Sequence, residues 1–221
     1  MRIHRYIPLL SSLVAVAYLS ACTEGRSADN PTSSYEVSVK NATAANAISP
    51  YLVIVHKAGS SLFETGGQAT EGLQELAETG ATDKIQAELA ANTNVLSVSK
   101  VTGSPLTAAE TRSLQFSIAN DEATAGARVT VIAMIGMSND SFIALRNMDL
   151  SKVDGSAYPA ANFDAGTEES TGAVADFGPG GHPVANAEGH ISYDRGLNPA
   201  GGAPQSIGWG PVAAEVSIKK L

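Results

Sequence analysis

The chain has 221 residues, enough for one ordinary domain and a short extension. Its 14 basic and 22 acidic residues give a net charge of −8, which argues against nucleic-acid binding, because such proteins normally carry a basic face. Hydrophobic residues make up 43% of the chain, so a core can form. A single cysteine excludes an intramolecular disulfide framework and a cysteine-rich zinc site.

The first 21 residues have the pattern of a signal peptide. Arg2 and Arg5 precede an apolar run over 6–19, which is shorter than the roughly 20 residues a membrane-spanning helix needs. The following Leu19-Ser20-Ala21-Cys22 resembles the processing site of bacterial lipoproteins. We therefore expect cleavage before Cys22 and attachment of lipid to its thiol and its new amine, which would make the membrane a partner. The alternative is an ordinary secretory signal followed by an accidental cysteine.

Residues 22–34 are predicted to be the lipidated cysteine and a flexible tether, because residues 23–34 are small and polar. Thr23 occupies the position where an aspartate resembles an inner-membrane retention signal in enterobacteria. The sequence therefore favours the outer membrane of a bacterial cell envelope. The folded domain is expected over 35–221.

Alternating and continuous apolar patterns predict a domain made mainly of strands. The predicted strands are 35–41, 51–57, 95–101, 113–118, 128–137 and 212–218. Apolar residues return at helical spacing between the second and third strands, which predicts short helices at 70–79 and 82–91. The stretch 146–211 is rich in glycine and proline and is predicted to be mostly loop. The fold class is therefore all-β, an antiparallel β-sandwich with one or two short helices inserted.

Two acidic segments contain candidate metal ligands. Residues 138–142 follow the longest predicted strand, and residues 163–169 place several acids around a glycine. Calcium takes six to eight hard oxygen ligands, and Asp140, Asp164 and Glu168 could supply three of them, with carbonyls and water completing the shell. The alternative is that these side chains only form local turns.

A third cluster contains His182, His190 and Asp194, which could be metal ligands or a catalytic His–Asp pair. No Gly-x-Ser-x-Gly or His-Glu-x-x-His motif accompanies them, so the favoured interpretation is histidines in turns or on the surface. His56 lies in a core-like strand and Trp209 lies beside the last strand. Both are predicted to be structural.

Several segments, taken in order, resemble the spondin N-terminal domain family in its bacterial lipoprotein branch. They are Tyr35–Asn41 with Ser49-Pro50, Leu62–Gly66, Gly72–Gly80, Met137–Phe142, Phe163–Glu168 and Trp209–Ile218. The resemblance implies an eight-stranded antiparallel β-sandwich similar to calcium-dependent membrane-binding domains. It also implies adhesion, with matrix, carbohydrate or receptor contacts, rather than catalysis.

The resemblance further implies one calcium ion, as in the animal extracellular-matrix members, with ligands at Asp140 and Asp164. A further acidic ligand of those members lies on the strand before the long apolar one. The corresponding residues here, 114–118, contain no carboxylate, and Asp121 or Glu122 just beyond could substitute.

The sequence therefore predicts a lipid-anchored, non-catalytic binding or adhesion module of the cell envelope. Its partner, an extracellular protein or a glycan, cannot be named from the sequence. Calcium is expected at Asp140, Asp164, Glu168 and Asp121. The alternatives are a hydrolase or metal-dependent enzyme that uses His182 and His190, and a purely structural envelope protein.

Overall fold

The computed structural model describes residues 31–177 and 187–221. The strands within these ranges are β1 (Thr32–Asn41), β2 (Leu52–His56), β3 (Val95–Lys100), β4 (Thr111–Ala119), β5 (Arg128–Met134), β6 (Ser141–Asp149), β7 (Ala157–Asp164), β8 (Ser192–Tyr193) and β9 (Ala214–Lys220). The helices are α1 (Glu71–Thr79), α2 (Asp83–Ala91) and α3 (Asn120–Thr124). In the described part of the chain, no helix is long and apolar enough to cross a membrane.

The strands form one antiparallel sheet in the order β3-β2-β5-β6-β7-β9-β1-β4, with β8 paired to β7. The strand β7 joins the two halves of the sheet, because residues 157–160 pair with β9 and residues 161–164 pair with β6. The terminal strands β3 and β4 approach each other, so the sheet curls into a nearly closed, barrel-like structure. The predicted all-β, antiparallel fold with short helices is confirmed.

Hydrophobic side chains fill both faces of the β2-β5-β6 half of the sheet. In β2, Val53 and Val55 point into the curled sheet, whereas Leu52 and Ile54 point to the face that α1 and α2 cover. This strand therefore has no solvent face, which accounts for its unbroken apolar sequence. Burial of this second face is what fixes the two helices on the sheet.

Local chemistry sets the ends and the crossing of the helices. The Thr70 hydroxyl accepts the Leu73 backbone N–H at 3.2 Å, and Gly80 ends α1 in the left-handed conformation with φ of 71°. Gly72 allows α1 to cross α2 closely, because an added Cβ would lie 2.5 Å from the Cα of Ile85. The helices thus pack backbone to backbone at this crossing.

Each strand and each helix predicted from the sequence is present, with ends that differ by at most three residues. One difference is that β1 begins at Thr32, inside the predicted tether. Ser33 is buried, and the Ser34 hydroxyl lies 2.9 Å from the Ser117 hydroxyl of β4. Cross-strand pairing therefore extends the first strand three residues towards the N-terminus of its predicted start at residue 35.

The prediction of loop over most of 146–211 is wrong at its start, because β6 continues to Asp149 and β7 occupies 157–164. The sequence of β7, Ala-Tyr-Pro-Ala-Ala-Asn-Phe-Asp, has low intrinsic strand preference. It is a strand because β6 and β9 pair with its two halves. The predicted signal peptide (1–21), Cys22 and His182 lie outside the described residues.

The predictions for His56 and Trp209 agree with the structure. His56 is fully buried, and its Nε2 lies 3.0 Å from the Thr130 hydroxyl. Trp209 is 8% exposed and belongs to the core inside the curled sheet.

Candidate functional site: a buried carboxylate cluster

The two acidic segments selected from the sequence meet at one end of the sheet. Asp140 lies in the turn between β5 and β6, and Asp164 is the last residue of β7. The first residue of β6, Ser141, pairs with Asp164. The backbone N–H of Ala165 donates to the Asp140 carbonyl at 3.1 Å. Strand pairing therefore brings Asp140, Asp164 and the loop after Asp164 together.

The Asp140 carboxylate organises the loop that follows β7. Asp140 is 1% exposed, and its Oδ2 accepts the Thr167 N–H at 2.6 Å, the Thr167 hydroxyl at 3.0 Å and the Glu168 N–H at 3.1 Å. Burial raises the pKa of Asp140, and these hydrogen bonds act in the opposite direction. One oxygen of Asp140 is thus fully used inside the protein.

Asp164 and Glu168 complete the cluster. Asp164 is 9% exposed, and its Oδ1 accepts the Gly166 N–H at 2.7 Å, which is the local turn expected as the alternative to metal binding. Burial, and next the charge of Asp140, raise the pKa of Asp164 to about 7. Glu168 is 3% exposed, and burial raises its pKa to about 7, with contributions from the charges of Glu78 and Asp140.

Gly166 is required for this loop geometry. It has φ of +71°, in the left-handed region, and an added Cβ would lie 2.2 Å from the His190 carbonyl oxygen. The Gly189 N–H donates to the Gly166 carbonyl at 2.8 Å. The carboxylate loop is therefore fixed on one side by Asp140 and on the other by the segment that precedes β8.

The cluster contains buried oxygens that no described residue satisfies. Oδ1 of Asp140 and Oε2 of Glu168 are buried and have no hydrogen-bond partner within residues 31–177 and 187–221. The ion pairs of these same ranges do not involve the cluster. The cluster thus holds three buried carboxyl groups, two of them with an unsatisfied oxygen, and none of the three has a basic partner among the described residues.

The donor chemistry fits a hard divalent cation, which prefers carboxylate oxygens. No group of three or more His, Cys, Asp or Glu side chains among the described residues is placed to hold a metal ion. The two unsatisfied oxygens could therefore supply only part of a coordination shell. Calcium tolerates this arrangement, because carbonyl oxygens and water commonly complete its six to eight ligands.

Asp121, the fourth predicted ligand, lies at the other end of the sheet. It is an exposed residue of α3, which follows the end of β4 at Ala119. Ala119 pairs with Thr32 at the start of β1, whereas Asp164 lies at the end of the sheet where β1 finishes, at Asn41. The structure therefore does not bring Asp121 to the other three predicted ligands.

The histidine cluster is only partly described. His190 is exposed, and its Nδ1 lies 2.9 Å from the Glu188 carbonyl oxygen. The Asp194 carboxylate accepts the Trp209 indole N–H and the Gly196 N–H, and burial raises its pKa. Asp194 thus anchors Trp209, a role that the sequence gave no signal for. The hydrolase alternative, which needs His182, stays a prediction.

The sequence also missed an aromatic row beside the cluster. Phe142, Phe163 and Tyr193 are cross-strand neighbours on β6, β7 and β8, with adjacent ring centres 5.5 and 5.1 Å apart. Only Tyr193 is exposed. The signal was weak, because β8 has two residues and shows no periodic pattern.

Comparison with known proteins gives the family. No curated protein matches this sequence. The Spondin_N family model matches residues 39–175, which include Asp140, Asp164 and Glu168 but not residues 187–199. This match covers more than half of the 221 residues, and the chain therefore belongs to the spondin N-terminal domain family.

Proposed function

We propose that the protein is a lipid-anchored, non-catalytic binding module of the bacterial cell envelope, in which calcium stabilises the loops around Asp140, Asp164 and Glu168. The observation that carries the calcium part is the pair of buried, unsatisfied oxygens, Asp140 Oδ1 and Glu168 Oε2. A cation there would pair with the carboxylate charges of Asp140 and Glu168, whose burial without a partner is otherwise unfavourable.

The position of the cluster supports a binding role rather than a purely structural one. The loop after β7 lies at an end of the sheet, where loops on a rigid β scaffold commonly carry binding surfaces. Asp140 already fixes this loop through three hydrogen bonds, and a cation on its second oxygen would add a further restraint. The bound cation would thus order the surface that a partner contacts.

Lipid anchoring rests on the Leu19-Ser20-Ala21-Cys22 sequence. The first strand begins at Thr32, so residues 23–31 would connect the lipid to the domain. The acidic chain has little electrostatic attraction for anionic lipid, so attachment would depend on the acyl chains. Expression in a bacterial host with labelled palmitate should label the wild type and leave Cys22→Ala unlabelled; an unlabelled wild type would remove this part of the proposal.

The calcium part is tested by thermal melts of the complete chain in calcium, in magnesium and in chelator. Calcium at 100 times its dissociation constant should add about 2.7 kcal/mol of stability, which is roughly 5–10 °C for a domain of this size. Magnesium should give a much smaller shift, because it demands near-ideal octahedral geometry. Asp140→Asn should abolish the calcium shift, because it removes one charge of the cluster.

Asp121→Asn is the matched control. It removes the same charge from an exposed position at the opposite end of the sheet. It should keep the full calcium shift. Equal melting temperatures of the wild type in calcium and chelator would refute calcium binding, and loss of the shift in Asp121→Asn would place the cation elsewhere.

A further inference from the structure

A cleft of about 540 Å³ lies beside the carboxylate cluster. Residues 188–199 provide most of its wall, and Asp164 and Ser170 provide the rest. Its volume falls in the range of roughly 300–1,000 Å³ that is typical of sites for small ligands. Apart from Asp164 and Ser170, its wall lies outside the part of the chain that matches the family model.

Tyr193 is the aromatic side chain of the cleft. It is 58% exposed, and every other aromatic residue in 31–177 and 187–221 is buried or half-buried. Its ring does not move freely, because it stacks on Phe163 with ring centres 5.1 Å apart and an interplanar angle of 27°. Phe163 is itself fully buried and packs against Phe142 and Phe63. The fold thus holds one aromatic ring rigidly at the surface of a polar cleft.

Polar side chains of the same cleft wall have hydrogen-bonding capacity that the described residues do not use. Arg195 and Glu188 are exposed, and neither forms an ion pair with a described residue. His190 uses Nδ1 towards the Glu188 carbonyl, and no residue of 31–177 or 187–221 bonds to its Nε2. The wall therefore offers both donors and acceptors next to an aromatic face.

This combination matches the chemistry of a sugar. The C–H groups on one face of a pyranose ring carry partial positive charge and pack against the negative face of an aromatic ring. Each sugar hydroxyl both donates and accepts hydrogen bonds, so it suits a wall with a guanidinium, an imidazole and a carboxylate. The three carboxylates of the wall, Asp164, Glu188 and Asp194, disfavour an anionic ligand.

We infer that this cleft binds a neutral oligosaccharide, with one sugar ring stacked on Tyr193 and its hydroxyls bound by Arg195, His190 and Glu188. The inference rests on the proposed binding function and names the class of its ligand. Asp164 belongs to both the cleft wall and the carboxylate cluster, so the sugar site and the cation site share one residue. Both the sugar site and the cation site therefore need the loop after β7 to be ordered.

The test is calorimetric titration of the complete chain, in calcium and a sugar-free detergent, with maltohexaose, cellohexaose, chitohexaose and mannohexaose. At least one of the four should bind. Tyr193→Ala should weaken that binding about tenfold, in line with the loss of one aromatic contact, and Tyr193→Phe should retain most of it. Arg195→Ala should also weaken it. Arg195 is exposed, so Arg195→Ala should melt close to the wild type, whereas Tyr193→Ala also loses the stacking on Phe163 and should melt a few degrees lower while staying folded.

Two results would overturn the inference. The first is that none of the four oligosaccharides binds the wild type. The second is binding that Tyr193→Ala leaves unchanged, which would place the sugar outside this cleft. Thermal melts of the same samples in calcium and chelator separate this failure from that of the proposed function, because a calcium shift without sugar binding rejects only the oligosaccharide site.

Discussion

Neutralising Asp164 should stabilise the protein when calcium is absent. Burial and the Asp140 charge raise the pKa of Asp164 from 3.8 to about 7. A shift of this size corresponds to about 4 kcal/mol of unfavourable free energy once the folded state is ionised, above pH 7. Asp164→Asn removes this charge and keeps an oxygen that can accept the Gly166 N–H.

The stability gained by Asp164→Asn depends on pH. Between pH 3.8 and about 7 the folded protein holds the Asp164 proton and the unfolded chain does not, so wild-type stability falls as pH rises through this window. The variant lacks this contribution. Its advantage in chelator should therefore be largest at pH 8, up to about 4 kcal/mol, and small near pH 4.

The assay is urea unfolding of the wild type and Asp164→Asn in chelator at pH 8, 6 and 4, with Asp121→Asn as an exposed control. The control should differ from the wild type by less than about 0.5 kcal/mol. In saturating calcium this advantage should shrink, because the wild type alone keeps the full charge of the cation site. A variant that is no more stable than the wild type at pH 8 in chelator would refute the electrostatic reasoning.

Three further predictions concern the packing and electrostatics of the fold. Gly166→Ala should cost at least about 2 kcal/mol in urea unfolding, because it combines a left-handed φ with a Cβ 2.2 Å from the His190 carbonyl oxygen; an unchanged midpoint would contradict this. Burial lowers the pKa of His56, so the stability that the neutral imidazole contributes is present above pH 6.5 and is lost as pH falls below it. The difference in unfolding free energy between the wild type and His56→Gln should therefore shrink between pH 7.5 and 5.5. A constant difference would contradict the burial argument. Phe142→Ala should cost about 3–5 kcal/mol, because its fully buried ring packs against Phe63 and Phe163, and a loss below about 1 kcal/mol in the same assay would contradict this packing.

Much of the fold follows from local sequence patterns, and the parts that do not follow have a physical reason. The unbroken apolar run of β2 and the helical spacing around Leu73 reflect burial, which leaves a periodic trace in sequence. The alanines and Pro159 of β7 leave no such trace. That strand exists through its partners β6 and β9, and pairing partners cannot be read from a local window.

The site shows the same division between local and long-range information. Asp140 and Asp164 were candidates because each lies in an acidic turn, and the pairing of Ser141 with Asp164 brings them together. Asp121 is a candidate only as a substitute for the further acidic ligand that the resemblance implies, and β4 carries it to the opposite end of the sheet. Tyr193 was missed because its exposure and its support by Phe163 are tertiary features.

The central claim is that the buried carboxylates around Asp140 form a calcium site. The most direct measurement is calorimetric titration of the complete chain with calcium at pH 8, where Asp164 and Glu168, with pKa values of about 7, are mostly ionised. The account predicts one calcium ion per chain, with binding lost in Asp140→Asn and kept in Asp121→Asn. A titration without binding heat, together with equal melting temperatures in calcium and chelator, would contradict it.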